Sequence, residues 1–267
     1  MKFGGLQPGK VCEYFDAVKG GDLWVFQHIP KTAGSSLAAE LAANRRPYRN
    51  IHIRYGDPGA VPEEQRDVAV EAFLGDTRNG GIRSASGHLR HRNIEQMRAV
   101  LPDMRLFTFV RDPVERVVSE YYYCRSSEHN DPEGFARAFP TLEDFASARE
   151  SNNKMAMYVA GKRNLKPEDL IAYAFERFEF IGTQKLYNLS FRILSTLLWY
   201  QSNQEAKVRV SGRSNKRSEL PADILNLIRR NNRADAALFR AVSEVYRACR
   251  DEIVAELRRR QLARAEA

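Results

Sequence analysis

Apolar residues follow two periods along this chain. Short apolar bursts of strand length recur between longer stretches in which apolar positions return every three or four residues. Leu23 to Gln27 is the first burst, and a helix-spaced stretch from about Gly34 to Ala43 follows it. NIHIRYGD, 50–57, predicts a short second strand, and VPEEQRDVAVEAFLG, 61–75, a helix with Pro62 in its first turn. An extended piece from Ser84 to His88 precedes RLFTFV, Arg105 to Val110, which reads as a buried strand. Asp112 and Pro113 then supply a helix N-cap and a proline at the first helical position. Val114, Val117, Val118, Tyr121 and Tyr122 fall on one face of the helix they open. Further on, the pattern predicts helices around 141–150 and 167–176, a strand at FEFIGTQ, 178–184, and a long helix from Leu186 to about Gln201. After the basic stretch KVRVSGRSNKRSEL come two C-terminal helices broken near Asn231 and Asn232.

Strands alternating with helices in this order predict βαβ units, hence an α/β fold with a central, mainly parallel sheet flanked by helices and a helical C-terminal part. A chain of 267 residues can bury such a core in one domain. The expected organisation is a single domain over 1–267, with its core at 22–240 and a C-terminal helix and basic tail at 241–267. The longest apolar runs, LWVF and ILSTLLWY, fall well short of the roughly 20 residues that span a bilayer, and the N-terminus has no apolar signal region. Cys12, Cys124 and Cys249 are scattered and odd in number, which fits reduced thiols. A soluble, cytoplasmic protein without a membrane span is the expectation. The surplus of 42 Lys+Arg over 34 Asp+Glu, a net charge of +8, favours anionic partners without choosing among them. No helix-turn-helix or aromatic-interleaved RNA motif accompanies it, so nucleic acid is not expected as a partner.

Candidate chemistry starts at HIPKTAGSS, 28–36, between the first strand and the first helix. A glycine-containing turn entering a helix presents unpaired N–H groups and the positive end of the helix dipole, which suits phosphate. Lys31 adds charge there, and Thr32, Ser35 and Ser36 add hydroxyls. A second piece, FVRDPVERVVSEYYYCR, places Arg111 at a strand end and Ser119 two helical turns further on, so a guanidinium and a hydroxyl can converge on a second phosphate.

In this order and spacing the two segments resemble the nucleotide-binding motifs of sulfotransferases that use 3′-phosphoadenosine 5′-phosphosulfate (PAPS). The RDP-x-E-R-x-x-S-x-Y-Y-Y wording is similar to the Golgi carbohydrate branch, which includes the uronyl 2-O-sulfotransferases. Without that branch's membrane anchor and cysteine pattern, a soluble bacterial-type member is implied. The resemblance implies a P-loop-like three-layer fold and sulfuryl transfer from PAPS to a hydroxyl-bearing acceptor, most simply a carbohydrate or glycoconjugate. Adenosine 3′,5′-bisphosphate would be the nucleotide product, and no metal would be required. Pro30, Lys31, Thr32, Ala33, Gly34, Ser35 and Ser36 would hold the 5′-phosphate, and Arg111 and Ser119 the 3′-phosphate. The late basic loop, through Arg213, Asn215, Lys216 or Arg217, would cover the nucleotide. Lys31 would stabilise the leaving phosphate. His88, in SASGHLRH, resembles the Gly-His element that carries the base of the uronyl branch; a carboxylate such as Glu40 is the alternative base. Arg54, Arg90, Arg92 and Asn153 are candidates for acceptor contact, and Tyr121 to Tyr123 read as core and cleft wall. A P-loop nucleotide kinase is the competing reading, but it calls for a complete Gly-Lys-Ser/Thr loop and an acidic magnesium ligand, and neither is evident.

Overall fold

The computed structural model of the chain describes residues 1–53, 61–78, 80–198 and 220–265. Five strands form one parallel sheet: β1 (Trp24–Gln27), β2 (Tyr48–Asn50), β3 (Ser84–Gly87), β4 (Arg105–Val110) and β5 (Phe180–Thr183), in the order β2-β3-β1-β4-β5. A first helix, α1 (Val11–Val18), precedes the sheet, and α2 (Gly34–Asn44), α3 (Pro62–Arg78) and α4 (His91–Val100) lie between the early strands in sequence. From β1 the chain passes through α2 to one side of the sheet, and only after β3 does α4 carry it across to β4. The order in which strands are added reverses beside β1, and at such a switch point the carboxyl ends of the strands open into a crevice.

Parallel strands are covered on both faces, which is why RLFTFV carries no alternation. All residues of β1, β3 and β5 are buried, and in β4 only Arg105 is less than buried. Gly182 is needed where β5 meets β4, because a Cβ there would lie 2.4 Å from the Phe109 ring.

The second strand begins at Tyr48, ahead of NIHIRYGD, and overlaps that segment only at Asn50. Ile51 and Ile53 are buried with His52 exposed between them, so the alternation is real. Pairing continues only to the bond from Ile51 N–H to the Ser86 carbonyl, 2.8 Å, because β3 itself ends at Gly87.

Asp112 caps α5 (Pro113–Cys124) as predicted, accepting from Val114 N at 3.0 Å and Glu115 N at 3.2 Å. After α5 come α6 (Pro132–Ala138), α7 (Leu142–Ser147), α8 (Lys154–Ala160) and α9 (Pro167–Arg177), then α10 (Tyr187–Leu197) behind a 3-10 turn at Gln184–Leu186. Three helices close the chain, α11 (Ala222–Asn231), α12 (Arg233–Ala248) and α13 (Arg250–Ala265), where two were expected. The break at Asn232 is the expected one, and Cys249 adds the other. The apolar stripe of α5 packs on α7 and α11: Val114, Val117, Val118 and Tyr121 cluster with Leu142, Phe145 and Ile228.

Apolar burial extends past both ends of the expected 22–240 core. Phe3, Leu6 and the α1 residues Val11, Tyr14, Phe15 and Val18 join the sheet's own cluster, as do Cys249, Ile253 and Leu257 from the C-terminal side. Backbone bonding fixes the N-terminal segment, with Phe3 N–H donating to Phe178 O at 2.8 Å and the Tyr14 hydroxyl to Glu179 O at 2.6 Å.

α12 holds α8 through a buried carboxylate. Asp235, 0% exposed, accepts from Met155 N at 2.9 Å and Ala156 N at 2.8 Å, which have no partner within their own first turn. Its own N–H donates to Asn153 Oδ1 at 3.2 Å. Removing the carboxylate strands two buried donors, so Asp235→Ala should lower the unfolding free energy by about 2–3 kcal/mol in urea titrations. Asp235→Asn, which keeps one carbonyl oxygen as acceptor, should lose less.

Candidate active site

The crevice beside β1 contains a cavity of about 780 Å³ whose walls include His28, Lys31, Ser35, His88, Glu120 and Tyr123. The loop from β1 to α2 forms one wall. Its backbone is left-handed at Lys31, φ 66°, and again at Ala33, φ 86°, an alternation that turns successive N–H groups toward a concave side. Among the described residues, the N–H groups of residues 33–36 have no acceptor outside their own helix. They are free for an anion, as expected of a helix N-terminus.

His28 holds the loop in place. Its N–H donates to the Gly87 carbonyl at 2.9 Å, so the loop starts tied to the end of β3. Its ring stacks on Phe26 at 5.3 Å and on His88 at 4.2 Å between centroids. On another side it fills the space above Gly34, where a Cβ would lie 1.8 Å from Nε2. Glycine is therefore required at 34 to admit the imidazole.

His88 faces the same cavity with its tautomer set. Nδ1 lies 2.9 Å from the His28 carbonyl oxygen, which can only accept. Nδ1 thus carries the proton, and Nε2 keeps a lone pair. Desolvation holds the pKa of His88 below the ordinary histidine value, against the opposing effect of the bond to His28. His28 is held well below that value by desolvation and by the neighbouring His88 and Lys31. Both rings are neutral at pH 7.

Lys31 Nζ sits 3.9 Å over the Tyr123 ring, and burial followed by the nearby Arg111 lowers its pKa. Arg111, 7% exposed, joins the two motifs by donating from a guanidinium nitrogen to the Lys31 carbonyl at 3.2 Å. Its contact to Glu115 is long, 3.5 Å, so most of its donor capacity remains. In the cavity wall, Glu120 accepts from Arg116 at 2.6 Å and pairs with Lys154. Burial pushes its pKa up, but the two cations outweigh that and the carboxylate stays charged.

The structure does not bring all expected residues to this cavity. The Thr32 hydroxyl is spent inside the turn on the Ile29 carbonyl at 2.8 Å, leaving only its backbone for a ligand. Ser36 and Ser119 are half-buried outside the cavity walls. Asn153 braces the joint with α12: besides its bond from Asp235, its N–H donates to Asn232 Oδ1 at 2.9 Å, and it lines neither of the two cavities described. Arg90 lines a smaller neighbouring cavity. Glu40, held by Asn44 at 2.8 Å, is not in the wall. Arg54, Arg213, Asn215, Lys216 and Arg217 lie outside the described residues. Conversely Arg66, Glu120, Cys124, His129 and Asn130 line the cavity with no local signal to announce them. Only tertiary packing brings them there.

The sulfotransferase family model matches residues 17–240. The chain belongs to the sulfotransferase family. Among solved structures, the mouse sulfotransferase SULT7A1 complexed with PAP is similar at 13% identity, over 94% of each chain, with a TM-score of 0.40. No curated protein matches. In this sulfotransferase no helix among the described residues is long and apolar enough to cross a membrane.

The stacked histidines give this sulfotransferase a pH signature. Unfolded imidazoles titrate near 6.5, whereas His28 and His88 titrate lower when folded. As pH falls below about 6.5 the unfolded state takes up protons first, so stability falls in that window and is fully present above it, with a slope of about 1.4 kcal/mol per pH unit for each proton. Urea unfolding between pH 7.5 and 5.5 should show this loss, with a slope about one proton smaller in His28→Gln. Equal slopes in the two proteins would contradict a desolvated, neutral His28.

Proposed function

We propose that this sulfotransferase transfers the sulfuryl group of PAPS to a hydroxyl of a carbohydrate or glycoconjugate by in-line displacement, with His88 as the base. The observation that carries the reading is the placement of Lys31 and His88 on the walls of one cavity, with the His88 tautomer fixed so that Nε2 can take a proton. Sulfuryl transfer requires a leaving phosphate whose growing charge is met, an acceptor hydroxyl that loses its proton, and the two held in line.

Each requirement has residues suited to it. The free N–H groups at the start of α2, with Ser35, suit the 5′-phosphate. Arg111, whose guanidinium keeps donors in reserve beside the loop, suits the 3′-phosphate with Ser119, and Arg213, Asn215 and Lys216 are proposed to cover the nucleotide. Lys31 is proposed to follow the bridging oxygen as charge develops on it, since its ammonium rests on a ring and not on a carboxylate. His88 Nε2 takes the acceptor proton, and the resulting imidazolium keeps its Nδ1–H on the His28 carbonyl, a bond that strengthens as the ring becomes cationic. Glu120 lies in the same wall and favours that positive charge. We further propose that the protein works in the cytoplasm on PAPS without a metal.

Adenosine 3′,5′-bisphosphate at a hundredfold excess over its Kd should stabilise the protein by about 2.7 kcal/mol without magnesium, read as a rise in Tm, and ATP should do much less. A magnesium-dependent preference for ATP would sink the reading in favour of a kinase. His88→Ala should cut turnover by about 100-fold or more while bisphosphate affinity stays near wild type; retained turnover removes His88 as the base. Because the pKa of His88 is lowered, the acidic limb of kcat against pH should lie below 6.5. Lys31→Ala should lose mainly kcat, with a smaller loss of bisphosphate affinity, as kinetics and calorimetry on one preparation would show.

A further inference from the structure

Beside the reaction cavity lies a second one of about 260 Å³, between α3, the start of α4 and the end of α8. Ligand pockets run from about 300 Å³ upward, so this one suits a single group of a ligand better than a whole molecule. Arg66, on α3, belongs to the walls of both cavities. A group seated in the smaller cavity is therefore next to whatever occupies the larger.

Three guanidiniums, of Arg66, Arg90 and Arg92, and two carboxylates, of Glu63 and Asp67, line the smaller cavity, so one positive charge is in excess. Arg66 is 7% exposed, makes no hydrogen bond to a described residue, and has its nearest carboxylate oxygen, on the exposed Glu63, 3.9 Å away. Arg90 lies 4.9 Å over the Tyr158 ring, with its Nε buried and unpartnered, and no described carboxylate pairs with it. Arg92 is different, because it is ion-paired to Asp67, which also accepts from Asn93 at 3.1 Å. His91 is bonded to the Tyr173 hydroxyl at 2.7 Å, and its pKa is lowered by burial, so it adds no charge at pH 7. A guanidinium taken out of water with only a long contact to an exposed carboxylate, or with none, is costly, and a planar or trigonal oxyanion matches its fork of donors.

We propose that the smaller cavity is an anion subsite of the acceptor, in which Arg66 and Arg90 hold a carboxylate or sulfate ester on the unit adjoining the one that reacts. The sulfuryl-transfer reading enters only in placing the reacting hydroxyl at His88. The acceptor is then at least two units long and anionic, and neutral small alcohols are poor substrates. Arg66 acts as the divider that sets the register between the anchored unit and the reacting one.

The test is calorimetric titration of the full chain, with and without saturating adenosine 3′,5′-bisphosphate, using three matched disaccharide glycosides. One carries a uronate unit, the second its carboxyl-reduced neutral counterpart, and the third the same neutral unit bearing a 6-sulfate. At least one charged probe should bind tenfold or more tightly than the neutral one, and comparing the two charged arms identifies carboxylate or sulfate as the preferred anion. Arg90→Gln, a half-exposed position that should fold, should bring that ratio toward one while leaving bisphosphate affinity unchanged, and Arg66→Gln should also bring the ratio toward one. Equal binding of charged and neutral probes, binding of none, or a preference that survives both substitutions overturns the proposal. If the charge preference is found but bisphosphate does not bind, the anion subsite stands and the sulfuryl-transfer reading falls.

Discussion

His28 is the residue on which the rest of the site depends. Its N–H is tied to β3, its carbonyl fixes the proton on His88, and its ring is clamped between Phe26, His88 and Gly34. One side chain with its peptide group therefore sets where the anion loop begins, how close α2 comes to the sheet, and which nitrogen of the neighbouring imidazole can accept a proton. The enclosure that keeps both rings neutral also leaves the second one, the proposed base, with its Nε2 lone pair at neutral pH.

α5 serves two sides of the molecule at once. Its apolar stripe holds α7 and α11, while its other face carries Glu120 and Tyr123 into the cavity. Between the two faces runs a buried ion network. Arg116, 0% exposed, bonds Glu120 at 2.6 Å and the Ser151 carbonyl at 2.6 Å, and Lys154 from α8 completes the set. Such a network is an expensive substitute for apolar packing, and its value lies in geometry. It joins the helix that carries Tyr123, and that begins just after Arg111, to the helix that borders the smaller cavity, so the proposed nucleotide and acceptor sides rest on one connection.

Sequence reasoning read most of the strands, the parallel helix-flanked sheet and the cap that opens α5 because each rests on a local pattern. An unbroken apolar run, an Asp-Pro cap and a Pro-Lys-Thr turn all announce themselves within a dozen residues. It stopped short where partners are distant. β2 ends where β3 ends, which no property of NIHIRYGD reveals. Asn153 and Asp235 are 82 positions apart, so an asparagine that looked free to meet an acceptor is bound to a helix it could not be seen to touch. Arg66 has no local feature that sets it apart on its helix, yet folding buries it and stands it between two cavities. The N-terminal segment, whose Phe3 and α1 complete the core, lacked a strand or motif to draw notice.

Lys31 rests over the face of Tyr123, 3.9 Å from the ring centre, and among the described residues it makes no salt bridge. A cation on an aromatic ring is held by about 0.5–2 kcal/mol and keeps its full charge, whereas a salt-bridged lysine must first surrender a carboxylate. The ring is a cradle from which the ammonium departs cheaply. In the proposed transfer the lysine would need only a short swing, with no described carboxylate to leave behind. The third tyrosine of the YYY run thus sets the readiness of a residue nearly a hundred positions before it.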